Sequence, residues 1–409
     1  MAGARKEAEA PLTLNVAYLV GGFPNLYEHS LLAEMVAVAK QGVSCRVLAM
    51  FPTGRALPDS FDDLPISVEY LGSDSLAHAL AATALELPGE LFRRPGETLR
   101  HPRMVRWRAR LERSVSTEHP GLLHAQFGHL GLLAAPVARA LNIPLLVSFR
   151  GQDMGLLCRA SSTDLRALQQ QGRLFLARSD AMRSELTSMG FPPERTEALP
   201  SGIDVAAIPF HERTAPARGE PVRLLAAGRL VAKKGIEDAL RAVAECPDVA
   251  LEIVGDGPER PRLAEMIARM RLTGRARLAG VMSRPALLLR MQAAHLFILP
   301  CKTAPDGDRE GVPNVLKEAH ASGLAVISTL HAGIPECVEE GHSGLLSEEG
   351  DTAALARNLR ELAAHPERWA AMGRRGREIV QARYDLLPLA SRLIRRYHEI
   401  ARRQPCGRS

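Results

Sequence analysis

The chain has 409 residues, 46% hydrophobic and 24% charged, with a net charge of +6. That composition allows two or three globular domains and excludes wholesale disorder and collagen-like repeats. No apolar run reaches the roughly 18 residues that span a bilayer, and with aromatic residues at 4% there is little for base stacking, so the basic excess does not imply a nucleic-acid partner.

Strand and helix patterns alternate along the chain, twice over. The first set opens with the continuous apolar run 14–20, of buried-strand type, then a turn at Gly21 and Gly22 and an amphipathic stretch over 30–41. Strands are predicted at 43–50, 67–71, 122–127, 144–149 and 173–177, with helices at 129–141 and 180–189 between them. The pattern breaks near 201–204, and Pro209–Pro221, rich in Pro, Gly, Arg and Glu, reads as a linker. It restarts with strands at 222–227, 249–254, 276–278, 295–299 and 325–328 and helices at 235–244, 258–270 and 313–321, and a long helix over 386–402 follows. This predicts an α/β protein of two Rossmann-like domains facing a central cleft, ligands lying beyond the carboxyl ends of the strands. The expected boundaries are a disordered tail over 1–11, an N-terminal domain 12–205, a linker 206–221, a C-terminal domain 222–383, a helix 384–402 and a tail 403–409. Arg5 and Lys6 precede no apolar segment, so no signal peptide is expected. Six cysteines without a CxxC fit reduced thiols and a cytoplasmic location.

The richest segment is Asp306-Gly-Asp-Arg-Glu310-Gly311-Val312-Pro313-Asn314-Val315-Leu-Lys-Glu318, directly after a predicted strand. Pro313 suits the first turn of a helix, where its missing N–H costs nothing, and the amides around Val312, Asn314 and Val315 then form an anion site. Glu310 in the loop and Glu318 in the helix suit hydroxyls of a sugar and a ribose; the bland reading is two surface glutamates. A second segment, Gly228-Arg229-Leu-Val-Ala-Lys233-Lys234-Gly235, is a basic turn between strand and helix. Arg229 binds phosphate bidentately and Lys234 as a point charge, a pair that stabilises a leaving diphosphate without a metal; the bland reading is a solvated basic turn. Two of only six lysines stand together there.

These segments together resemble the retaining glycosyltransferases of family four, with the GT-B fold, which carry a G-R-L-x-x-x-K-G loop and an E-x7-E segment in the donor domain. The resemblance covers nearly the whole chain: Ser201-Gly-Ile-Asp204, Gly255-Asp-Gly-Pro258, Leu278-Ala-Gly-Val281-Met282, Ser328–Glu336 and Gly341–Gly344 also stand where the family has them. Asp306–Glu336 and Leu123–Gly128 look most like the exopolysaccharide, colanic-acid type. The resemblance implies that Arg229 and Lys234 bind the donor diphosphate, Glu318 the ribose and Glu310 the transferred sugar, with Gly311 and Val312 beside it. Val281 and Met282 belong to the loop packed on the base, and Gly21 and Gly22 to a flexible turn that approaches the phosphates. It also implies a retaining hexosyltransferase using a nucleotide-diphosphate sugar, UDP before GDP. The acceptor is a saccharide, a lipid-linked saccharide or a small metabolite, no cofactor is obligatory, and the C-terminal helix crosses back to the N-domain.

Two departures bear on the acceptor. Where the family has T-x-H-G-x-D, this chain has Ser148-Phe-Arg150-Gly-Gln-Asp153, and arginine, being no base at neutral pH, suits negative charge or acceptor binding. Tyr27-Glu28-His29 stands where Ser-Glu-Thr is common. Glu28, His29, His129, Arg150 and Asp153 are therefore the acceptor candidates. Asp306-Gly-Asp308 spells a DxD motif but lies beside a basic loop, and His124 and His129 lack cysteine partners, so no metal site is expected. Eight arginines between Arg93 and Arg113 read as a solvated helix face, with peripheral contact to an anionic membrane as the alternative. The competing functions are a nucleotide-sugar epimerase of the same architecture and a non-catalytic nucleotide-sugar binding subunit.

Overall fold

The computed structural model of the protein describes residues 14–24, 29–57, 59–72, 102–157 and 160–402. Both predicted tails, Glu28 and part of the arginine-rich stretch lie outside them. Seven strands, β1 (Asn15–Phe23), β2 (Ser44–Pro52), β3 (Ile66–Tyr70), β4 (Leu122–Ala125), β5 (Leu145–Ser148), β6 (Gly172–Ala177) and β7 (Thr196–Ala198), form one sheet in the order 3-2-1-4-5-6-7. Six more, β8 (Val222–Ala227), β9 (Val249–Val254), β10 (Ala276–Gly280), β11 (Leu296–Ile298), β12 (Ala325–Thr329) and β13 (Gly344–Ser347), form a second in the order 10-9-8-11-12-13. Pairing across the second sheet is parallel throughout, as it is from β3 to β5 in the first. Strands covered on both faces need no polar alternation, and β4, β5 and β12 are buried at every residue.

The helices in chain order are α1 (His29–Ala39), α2 (Pro102–Thr117), α3 (Gly128–Ala140), α4 (Gly151–Leu157), α5 (Ser162–Gln171) and α6 (Asp180–Ser188), followed after β8 by α7 (Ile236–Ala244), α8 (Arg260–Arg269), α9 (Arg284–Ala293), α10 (Asn314–Ala321), α11 (Thr352–Ala364), α12 (Trp369–Arg383) and α13 (Leu386–Arg402). None among the described residues is long and apolar enough to cross a membrane. Each strand order reverses once, between β1 and β4 and between β8 and β11. Outside the carboxyl ends of such a pair a doubly wound sheet opens a crevice.

Packing divides the chain into two compact units, one of Met1–Ser148, Ser161–Phe175 and Ala390–Ser409, the other of Phe149–Ala160 and Leu176–Leu389. In the first, α13 buries Leu393, Tyr397 and Ile400. The Tyr397 hydroxyl meets that of Tyr18 on β1 at 2.8 Å and Nδ1 of His124 on β4 at 2.7 Å, while Nε2 of His124 meets the Ser148 hydroxyl at 2.8 Å. His124 is thus a core residue. The predicted turn at Gly21 and Gly22 is corrected: β1 continues through both to Phe23, with Gly22 paired to Phe51. A Cβ on Gly22 would come within 2.6 Å of the Phe51 ring, so the glycine serves strand packing. The predicted solvated arginine face is corrected in part, because α2 buries Val105, Leu111 and Val115 and also Arg108.

In the second unit, Pro209–Pro221 is irregular as predicted but tied down. Arg213 is buried and donates to the carbonyls of Gln292 at 2.6 Å and Ser322 at 2.7 Å. Burial holds its guanidinium down at about 10.

Candidate active site

At the β8–β11 switch point of the second unit, two loops leave adjacent strands side by side. The loop after β8 runs from Gly228 through a short 3-10 turn, Ala232–Lys234, to Gly235, where φ is +64°. A Cβ on Gly235 would fall 1.8 Å from the Pro300 carbonyl oxygen, so only glycine lets this loop lie on the end of β11. The loop after β11 is fastened to it by the Lys302 amide, which donates to the Lys233 carbonyl at 2.9 Å, and by the Lys302 ammonium, which bridges Glu237 and Asp238 of α7 at 2.7 Å each.

The side chains at the junction form one charged cluster. Oε1 of Glu310 lies 3.1 Å from the Lys234 ammonium and 3.2 Å from that of Lys233, and Lys233 also reaches Asp308 at 2.9 Å. The side chains of Glu310, Lys233 and Lys234 are largely buried. Burial alone would raise the Glu310 carboxyl, but Lys234 and then Lys233 outweigh it and hold the group well below the usual carboxylate range, at about 2. Burial alone would likewise lower Lys234; Glu310 prevails and raises it. Two ammonium groups and two carboxylates balance in this cluster, and Lys234 pairs in it with Glu310. Arg229 is exposed on the same loop.

The helix after Glu310 begins at Asn314, with Pro313 as the residue before it, one position later than predicted. Its first intrahelical bond runs from the Leu316 amide to the Pro313 carbonyl, so the Asn314 and Val315 amides belong to the open first turn. Gly311 and Val312 lead into that turn. Glu318 is largely buried and accepts from Nε of Arg284 at 3.2 Å. Burial raises its carboxyl, and Arg284 opposes that only in part. Val281 is 77% exposed at the end of β10, with Met282 half-buried beside it.

Arg150 and Asp153 belong to this same unit. The Arg150 amide donates to the Asp153 carboxylate at 2.8 Å, and Asp153 is fully buried. A Cβ on Gly151 would lie 2.2 Å from the Arg309 carbonyl oxygen, so Gly151 packs directly on the backbone that carries Glu310. The structure thus brings together Lys234, Glu310, Gly311 and, through Gly151, the Arg150 segment. Gly21, Gly22, His29 and His129 lie in the first unit, His129 with its ring 5.5 Å from that of Phe127.

Sequence reasoning left three participants unassigned. Lys233 was noted only as a neighbour of Lys234. His331 is fully buried and its Nε2 accepts the Glu310 amide at 3.1 Å, while its Nδ1 meets Glu349 at 2.5 Å; its place in the Ser328–Glu336 segment was the available signal. Lys317 is fully buried, donates to the Ser201 carbonyl at 2.6 Å and stands over the Tyr384 ring at 5.1 Å. Burial pulls its ammonium down to about 8.

Two family models match successive stretches of the chain. The family model of glycosyl transferases group 1 matches residues 208–379, and that of glycosyltransferase family 4 matches residues 35–207. The chain is 35% identical over 245 residues to the putative colanic acid biosynthesis glycosyltransferase WcaL of Salmonella typhimurium, covering 58% of this chain and 60% of that protein. It is 30% identical over 260 residues to the GDP-mannose-dependent alpha-(1-6)-phosphatidylinositol monomannoside mannosyltransferase of Mycolicibacterium smegmatis, covering 61% and 68%. The chain therefore matches about three-fifths of the length of the first of these relatives. Among solved structures, Anabaena HepE in complex with UDP-glucose superposes with a TM-score of 0.71 at 19% identity, over 94% of this chain and all of that one.

Proposed function

Since the chain belongs to the family-four glycosyltransferases of GT-B architecture, we propose that it transfers a hexose from a nucleotide-diphosphate sugar to an acceptor hydroxyl with retention of configuration. The observation that carries this reading is the Lys233–Lys234–Glu310 cluster at the β8–β11 switch point, where two ammonium groups stand beside a carboxylate that stays ionised. In it Lys234 and Arg229 hold the diphosphate, Gly311 and Val312 with the Asn314 and Val315 amides line its path, Glu318 takes the ribose and Glu310 orients the hexose. Val281 and Met282 flank the base. The acceptor hydroxyl attacks the anomeric carbon on the face the diphosphate leaves; the C–O bond to phosphate breaks, and the departing phosphate oxygen takes the acceptor proton.

UDP is the nucleotide of this proposal and a saccharide or lipid-linked saccharide of an exopolysaccharide route its acceptor. The UDP-glucose held by HepE and the colanic acid assignment of WcaL support this; the GDP-mannose of the mycobacterial relative is the donor to test against it. No metal is required, the reaction is cytoplasmic, and Arg150, on a segment braced by the buried Asp153, faces the acceptor. Titration calorimetry with UDP, UDP-glucose and GDP-mannose is the first test. Lys234→Ala is expected to weaken nucleotide-sugar binding by about tenfold or more, the worth of a charge-assisted phosphate contact. Glu318→Ala should weaken binding of UDP but not of inorganic pyrophosphate. Unchanged nucleotide-sugar affinity in Lys234→Ala defeats the diphosphate assignment.

A further inference from the structure

Glu310 is fixed by its side chain to two lysines, and its backbone is fixed separately. The Glu310 amide donates to Nε2 of His331 at 3.1 Å. A ring nitrogen that accepts carries no proton, so the neutral imidazole bears its hydrogen on Nδ1. Nδ1 faces Oε1 of Glu349 at 2.5 Å, where that hydrogen is donated to a carboxylate. The second oxygen of Glu349 accepts the Thr303 amide at 2.7 Å. Burial alone would raise the Glu349 carboxyl; the Thr303 amide and His331 outweigh it and lower it. The two oxygens of one carboxylate thus grip the start of the loop after β11 and, through a histidine, the residue that carries its functional carboxylate.

We propose that His331 is a positioning residue, held in its Nδ1-protonated form by Glu349, that sets the backbone of Glu310 and thereby the approach of its carboxylate to Lys234 and to the transferred sugar. This rests on the active-site reading above and adds to it a buried histidine and an exposed carboxylate that act through the Glu310 backbone. The geometry is directional. Reversing the tautomer would set an Nε2–H against the Glu310 N–H, two donors face to face. Glutamine at position 331 offers an amide oxygen at about the place of Nε2, whereas leucine fills the volume and offers none. Glutamine at 349 has one oxygen where Glu349 uses two, so one of its two grips is lost.

Four measurements test the proposal. In protein carrying 15N-labelled histidine, the signal lost in His331→Leu is expected to show Nδ1 protonated and Nε2 in the unprotonated range. Amide hydrogen exchange of the segment around Glu310 is expected to be slow in the wild type and His331→Gln, and faster in His331→Leu and Glu349→Gln. With UDP-glucose as probe, release of UDP at saturation is expected to fall about tenfold to hundredfold in His331→Leu, the effect of losing one buried acceptor. It should stay within about threefold of wild type in His331→Gln, and the affinity for UDP should move less than about threefold in both. A protonated Nε2, equal losses in the Gln and Leu variants, or a loss of UDP affinity that accounts for the loss of turnover each overturns the proposal. Should the wild type bind neither UDP-glucose nor GDP-mannose, the active-site reading fails, while the tautomer and exchange results still decide the positioning role.

Discussion

Lysine is scarce in this protein, and its distribution is uneven: Lys233, Lys234, Lys302 and Lys317 all lie in the second unit, and the first three meet at the junction of the two active-site loops. The basic turn was readable in the sequence because a lysine pair there stands out from an arginine background. Its pairing with Glu310 and Asp308 was not, since those residues lie about 75 positions further along the chain. The paired lysines keep Glu310 ionised down to about pH 2. A group whose folded-state value is depressed contributes its stabilisation above its ordinary value and loses it as the pH falls through the depressed one. The window for Glu310 thus runs from the usual carboxylate range, near 4.5, down to about 2. Glu310 therefore gives no proton at working pH, and its contribution is the same throughout the neutral range. The pH profile of UDP release from UDP-glucose is expected to show no limb from this residue between pH 5 and 8, and Glu310→Gln should lower turnover by the same factor across that interval. A loss in Glu310→Gln that grows or shrinks with pH would contradict the assignment.

At the scale of elements, most of the fold was visible because parallel strands buried on both faces leave unbroken apolar runs, and the predicted strands match the observed ones within a few residues. The pieces that stayed hidden have weak local signals. Helix α4 contains Gly151 and Gly155, which lower its intrinsic propensity, and is held by packing on Arg309. Strand β7 has three residues and ends immediately before Leu199, whose amide bonds the Ala177 carbonyl. Helix α6 is capped from afar: Glu336 accepts the Asp180 and Ala181 amides at 3.0 Å each, beside the local Ser179 cap on Met182. No local motif announces a cap 155 residues away. Glu336→Ala is expected to cost about 1 kcal/mol, the usual worth of an N-terminal cap. Hydrogen exchange should accelerate selectively over 180–188, and uniform acceleration across the unit would speak against a capping role.

For the molecule as a whole, the two sheets repeat one strand order, and each compact unit gathers segments distant in sequence. The first unit draws residues from both halves of the chain, and its centre is polar: Tyr18, His124, Ser148 and Tyr397 share a chain of hydrogen bonds with no access to water. Burial pushes the Tyr18 hydroxyl well above its ordinary value, so it stays protonated. Removing one member strands its partners, which costs more than removing a matched pair. Tyr397→Phe is accordingly expected to destabilise the protein by about 1–3 kcal/mol, read as a lower midpoint in urea. Adding Tyr18→Phe to it should cost less than the first substitution did. Two additive losses would show that the hydroxyls act independently.

That network also orders events in time. Tyr18 and His124 lie on strands that leave the ribosome early, yet the hydroxyl that links them is supplied by residue 397. Synthesis tends to let N-terminal domains fold first, but here the earliest sheet carries an open polar centre until the chain has been translated past α13. A chain interrupted before α13 therefore lacks the hydroxyl that joins Tyr18 to His124.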